Sequence, residues 1–290
     1  MKSYIPLLFA LLLITSCEKP LIDDTPSADV TTNDEVTLTI NILGVEQIPF
    51  ENTTSRATAL SSLCSRVNIA IFSGETKQKT INQTSDQTDF GSAAITLPQG
   101  QYQLVVIAHN GKGNATISTP DKITFPNNKC TDTFYYYGTI DVDKTSSKCI
   151  TLHRAVAMYR QIITDATPAN VAQMQFFYTG GSSTFNAVTG FGCVNSRQTE
   201  TFDVASGQPS QYEVYTFPHD VTGTLNMKVT ALDASGTTVC EQVYDNLPVQ
   251  LNTITQHTGP FFTNATTSED SRLTIAIDND GQWSPSTISY

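Results

Sequence analysis

The chain has 290 residues, enough for two domains of ordinary size. Only 15% of them are charged, and the balance is acidic, with a formal net charge of −11. That balance excludes an electrostatic footprint for nucleic acid and opposes adsorption to an anionic membrane surface.

Lys2 gives a short positive start, and Ile5 to Ile14 are nearly all apolar. The run falls short of the about 20 apolar residues that span a bilayer, and has the length of a signal-peptide core. It ends in Ile14-Thr15-Ser16-Cys17, which resembles the lipobox of bacterial lipoprotein signals. The resemblance implies cleavage between Ser16 and Cys17, acylation of Cys17, and a net charge of −12 once Lys2 is lost. Each buried CH₂ of such a lipid contributes about 0.8 kcal/mol, so two or three chains hold firmly. Residues 1–16 are therefore expected to be the signal peptide. Residues 17–34, rich in Asp, Pro, Ser and Thr, read as a flexible tether.

Beyond the tether, period-two alternation dominates. Val36, Leu38, Ile40 and Ile42 alternate with polar residues. Val67, Ile69 and Ile71 follow, then Tyr102, Leu104, Val106 and Ala108, then Leu225, Met227, Val229 and Ala231, and last Leu273, Ile275 and Ile277. Such spacing puts one set of side chains on one sheet face. Turn formers separate the segments at Pro98-Gln99-Gly100, Asn110-Gly111, Gly180-Gly181, Asp233 to Gly236 and Asp280-Gly281. No long 3.6-residue stripe is present. Phe134 to Val142 and Lys148 to Ile163 read as a hairpin that sets Cys149 opposite a residue near Asp141. The predicted fold is all-β, with two tandem antiparallel β-sandwich domains over residues 35–164 and 165–290.

Residue types that carry chemistry are scattered. His109, His153, His219 and His257 form no metal or protease spacing, and no nucleophile elbow or phosphate loop occurs. Apart from Cys17 there are five cysteines, at 64, 130, 149, 193 and 240, with no C-x₂-C pair, and they read as single thiols. In the hairpin reading Cys130 lies roughly 36 Å from Cys149, which argues against a bridge between them. Asn-x-Ser/Thr triplets at Asn52, Asn82, Asn114 and Asn264 are expected by chance in so Asn- and Thr-rich a chain. A carbohydrate platform would need exposed rings. Trp283 is the only tryptophan, and at least one of Tyr135, Tyr136 and Tyr137 is expected to face solvent or an edge. The chain reads as a non-enzyme without cofactor, metal or small-molecule substrate.

Several stretches resemble a known family. Arg66 to Phe72, the Leu97-Pro98-Gln99-Gly100-Gln101-Tyr102 strand start, Leu152-His153-Arg154-Ala155-Val156-Ala157, Ser183 to Gly190 and Leu247 to Phe262 are similar, in that order, to the fimbrial anchor and accessory lipoproteins of Bacteroidales-type pili, the fimbrillin-related sandwiches. The resemblance implies Greek-key, transthyretin-like domains and a role in anchoring or assembling fimbriae at the outer membrane. Partners would be other fimbrial subunits and outer-membrane lipid through Cys17. Structural subunits of this family are cut after an arginine, which removes the first strand and opens a groove that a partner strand fills. Arg56-Ala57 stands where such a cut would fall, so an alternative is a polymerising or tip subunit incorporated in the fimbrium. Leu273, Ile275 and Ile277 form a candidate donor strand, and a surface glycan-binding lipoprotein is a further alternative.

Overall fold

In this computed structural model the described residues are 35–45, 60–263, 272–277 and 286–288, the last two segments by strand pairing alone. Ser16, Cys17, the tether, Arg56, Ala57 and Trp283 lie outside them. The chain is all-β. Its strands are β1 (Glu35–Val45), β2 (Arg66–Ser73), β3 (Thr76–Thr84), β4 (Ser92–Pro98), β5 (Gly100–His109), β6 (Thr116–Thr119), β7 (Lys122–Thr124), β8 (Thr133–Val142), β9 (Ser146–Arg154), β10 (Ala157–Ile163), β11 (Gln173–Thr179), β12 (Thr184–Asn186), β13 (Phe191–Gly192), β14 (Arg197–Asp203), β15 (Ser210–Thr216), β16 (Thr222–Leu232), β17 (Thr238–Gln250), β18 (Thr253–Gly259), β19 (Arg272–Ile277) and β20 (Ser286–Ile288). The one α-helix among the described residues is a single turn, α1 (Leu60–Leu63). All five alternating segments picked out in the sequence are strands.

The first sandwich is one sheet folded on itself, in the order β3-β2-β5-β8-β9-β1-β4. The fold-over lies between β8 and β9, which pair only at Phe134–Arg154 and Tyr135–His153. Beyond those pairs the strands diverge: β8 stays on β5, and β9 runs parallel to β1. Leu38, Ile40, Ile95, Leu97, Ile150 and Leu152 from one leaf then face Val67, Ile69, Ile71, Leu104, Val106 and Phe134 from the other. The expected hairpin is corrected here. Cys149 pairs with Asn41 of β1 rather than facing Asp141.

The expected single strand from Lys148 to Ile163 is also two strands, broken at buried Ala155–Val156. The break has a cause in hydrogen bonding. The Ala155 N–H donates to the Thr133 carbonyl on one side, and the Asn252 N–H donates to the Val156 carbonyl on the other. The chain leaves one sheet as β9 and enters another as β10, which pairs with β15 and β18. Sheets β15-β10-β18-β19-β20 and β14-β11-β16-β17 enclose the second core, around Tyr159, Met174, Phe176, Val214, Met227, Val229 and Phe261.

All of these sheets belong to one compact unit, Asp34–Tyr290. A small sheet in the order β13-β12-β7-β6 is built from both halves of the chain, with Thr184 and Phe185 paired to Thr124 and Ile123. Beneath it lies a third core, holding Phe72, Val105, Ile107, Ile117, Phe125, Val156, Phe185, Phe217 and Ile254. This explains why Leu104 to Ala108 is apolar without interruption: even positions fill the first core and odd ones the third. It also settles the three tyrosines. Tyr136 packs on the first core, Tyr135 and Tyr137 pack on the third, and all three are half-buried. None of the three is fully exposed, and Tyr137 is the one whose ring faces an open cleft.

Candidate strand-exchange site

Strand β1 occupies an interior slot, antiparallel to β4 and parallel to β9. Leu38 (2% exposed) and Ile40 (0%) point into the first core, and Val36 and Ile42 pack at its margin. Burying two such side chains contributes about 1.5–3 kcal/mol each. On the opposite face Asn41 bridges both walls. Its Nδ2 donates to Ser147 Oγ of β9 at 2.8 Å, and its Oδ1 accepts from Ser92 Oγ of β4 at 2.7 Å. A strand in this slot therefore needs aliphatic residues at alternate positions and a polar amide between them.

At the other end of the chain β19 pairs with β18, placing Leu273, Ile275 and Ile277 opposite His257, Thr255 and Thr253, and the three-residue β20 lies outside it. Asp165 holds the chain ahead of these strands. Its carboxylate accepts the N–H groups of Phe261, Phe262 and Thr263 at 2.8–2.9 Å, and the Thr263 hydroxyl at 3.1 Å. Partial burial pushes its pKa up, but those bonds outweigh it and the net shift is downward.

The junction holds a group whose role was not legible in the sequence. Arg154, 1% exposed, closes β9 with Nε and an NH2 on the two oxygens of Asp132 at 2.8 and 3.1 Å. Its other terminal nitrogen donates to Asn252 Oδ1 at 2.8 Å, and the guanidinium lies 4.7 Å from the centre of the Phe134 ring. The arginine of the Leu-x-Arg-x-Val-Ala stretch thus ties the first sandwich to the turn between β17 and β18.

The histidines do not converge. His109 is wholly buried: its Nδ1 accepts the Gly111 N–H and its Nε2 donates to Asn68 Oδ1, which also accepts the Ala115 N–H. Burial, with Arg66 nearby, lowers its pKa to about 4. Among the described residues the five cysteines are free thiols, but only Cys64 and Cys130 are buried, and burial pushes the Cys130 thiol up to about 12. No group of three metal-ligating side chains is present among the described residues, nor is any helix there long and apolar enough to cross a membrane.

The profile of a family of unknown function, DUF6562, matches residues 27–288. The chain belongs to that family. No curated protein matches this DUF6562 chain by sequence. Solved structures do match it. One, from Bacteroides thetaiotaomicron and described as a candidate polysaccharide-binding protein, superposes with a TM-score of 0.50 at 12% identity, over 87% of this chain and 98% of that one. A candidate adhesin from Bacteroides ovatus gives 0.48 at 13% identity, over 80% and 88% of the two chains. The fimbrial anchor protein Mfa2 from Porphyromonas gingivalis gives 0.46 at 10% identity, over 88% and 100%. At 12% identity the likeness to the Bacteroides thetaiotaomicron protein speaks for a shared fold alone.

Proposed function

We propose that this chain is a fimbrial anchor or accessory subunit, held at the outer membrane by lipid on Cys17 and joined to other subunits by β-strand addition. Its two Greek-key, transthyretin-like sandwiches would stand off the membrane on residues 17–34 as a tether. The observation that carries the reading is the seating of β1. It is an inserted strand with two buried aliphatic anchors, Leu38 and Ile40, hydrogen-bonded on both edges. An unpaired pair of edges offers N–H and C=O groups to any strand with matching alternation. The sequence resemblance to fimbrial anchor lipoproteins supplies the partner class.

The seating of β1 also favours a second reading. Arg56 lies between β1 and α1, so cutting after it would release β1 with Cys17 and leave an open slot between β4 and β9. The chain would then be a polymerising or tip subunit, with Leu273, Ile275 and Ile277 in the donated strand. Mass spectrometry of the mature N-terminus from native membranes separates the two. Acylated Cys17 supports the anchor, Ala57 supports the polymerising subunit, and an unlipidated start at any other residue overturns both.

A further inference from the structure

Three turns meet on the flank of the first sandwich: the β2–β3 turn at Glu75, the β6–β7 turn at Lys122, and the turn after β12 at Asn186 and Val188. Over Gln103 of β5 and Tyr137 of β8 they enclose an open cleft of about 930 Å³. That volume is in the range of small-molecule sites. The floor is firm, because β5 and β8 are interior strands of the seven-stranded sheet. Asn186 and Val188 come from the second half of the chain, so the cleft is complete only when β7 and β12 are paired.

Thr119 donates to Asp121 at the rim of this cleft, but four other polar side chains there have no partner among the described residues. The Glu75 carboxylate, the Gln103 amide, the Lys122 ammonium and the Tyr137 hydroxyl make no hydrogen bond or ion pair with another described residue. Asn186 spends its Oδ1 on the Val188 and Thr189 N–H groups at 2.9 and 3.1 Å, which leaves its NH₂ available. The cleft therefore offers donors and acceptors together. Beside them are a half-buried aromatic ring and Val188, 50% exposed. A sugar ring matches that mixture: each hydroxyl both donates and accepts, and the C–H face packs on an aromatic or aliphatic surface. Two carboxylates, Glu75 and Asp121, stand against the one ammonium of Lys122, so the lining repels an anion, and the sugar that fits it is an uncharged one.

We propose that this cleft binds one pyranose unit of a neutral glycan. The proposal is independent of strand exchange, since neither β1 nor β19 lines the cleft. The test is binding of the mature chain to a glycan array, followed by saturation-transfer NMR with methyl α-mannoside, lactose and N-acetylglucosamine. The expected result is binding to neutral glycans in the millimolar range. It should weaken at least tenfold in the double variant Gln103→Ala, Lys122→Ala, and stay unchanged in Val243→Ser, a surface change on β17. Equal thermal melting of the variants excludes misfolding as the cause. Absence of binding to every array glycan, binding to sulfated or sialylated glycans alone, or undiminished binding in the double variant would each overturn it.

Discussion

Arg154 and Asp132 form a two-point ion pair, Nε to Oδ1 and NH2 to Oδ2, in which the arginine side chain is wholly shielded from water. The same guanidinium reaches Asn252, so one side chain joins β9, the segment before β8 and the β17–β18 turn. Removing one member of such a pair leaves a buried charge without compensation, which costs about 3–5 kcal/mol. Asp132→Ala is therefore expected to lower the urea midpoint strongly. Asp132→Asn combined with Arg154→Met should be milder than the sum of the single changes. A double-mutant cycle with no coupling energy would contradict this.

Stability should fall in mild acid through His109. Its folded pKa, about 4, lies below the ordinary 6.5, so the unfolded chain takes up the proton first as pH drops. The stabilisation of the neutral ring is complete above about pH 6.5 and is lost progressively between there and about 4, at most about 3 kcal/mol. His257, whose pKa burial also lowers, acts in the same direction. Urea midpoints at pH 7, 5.5 and 4.5 check the slope, and His109→Gln should flatten it.

Gly181→Ala should be destabilising out of proportion to its size. A Cβ there would fall 1.9 Å from Thr216 Oγ1, and Thr216 is 2% exposed and hydrogen-bonded to Ser182 and Gln198. Overpacking of this kind costs about 1–3 kcal/mol. A melting temperature equal to the parent's would show that the Gly180-Gly181 turn has slack that the structure does not contain.

The slot of β1 makes a paired prediction. Leu38→Ala and Ile40→Ala should each cost about 2–5 kcal/mol, since both side chains are enclosed. Leu43→Ala, at 69% exposure on the same strand, should cost almost nothing. A synthetic peptide of the Glu35–Val45 sequence should bind a chain cleaved after Arg56, and its Ile40→Asp version should not. Equal binding of the two peptides would remove the basis for alternating anchors.

Strand positions were legible in the sequence because alternation is local: Leu225, Met227, Val229 and Ala231 reach the second core at every second residue. Strand partners were not legible. Asn41 and Ser147 are 106 positions apart and run parallel, and no local signal encodes that. The hairpin reading of β8 and β9 took the nearest partner, whereas the fold-over gives each strand a different one. Arg154 stood inside a quoted stretch, but its burial depends on Asp132 and Asn252, which the sequence does not bring together. Of the candidate site, β1 and β19 were visible as strands. The slot walls and the Asn41 bridge needed the register.

The shared sheet of β7 and β12 has a consequence for the order of events during synthesis. When residues 35–154 emerge, Phe72, Val105 and Ile107 have only part of their cover, from Ile117, Ile123 and Phe125, because Phe185, Phe217 and Ile254 follow 30 to 100 positions later. A half-made chain would carry a sticky apolar face for as long as elongation takes. If the chain is exported before it folds, as the proposed function requires, both halves would be free together and that face could close at once. Under that proposal, the timing of secretion and the architecture of the junction answer to one constraint.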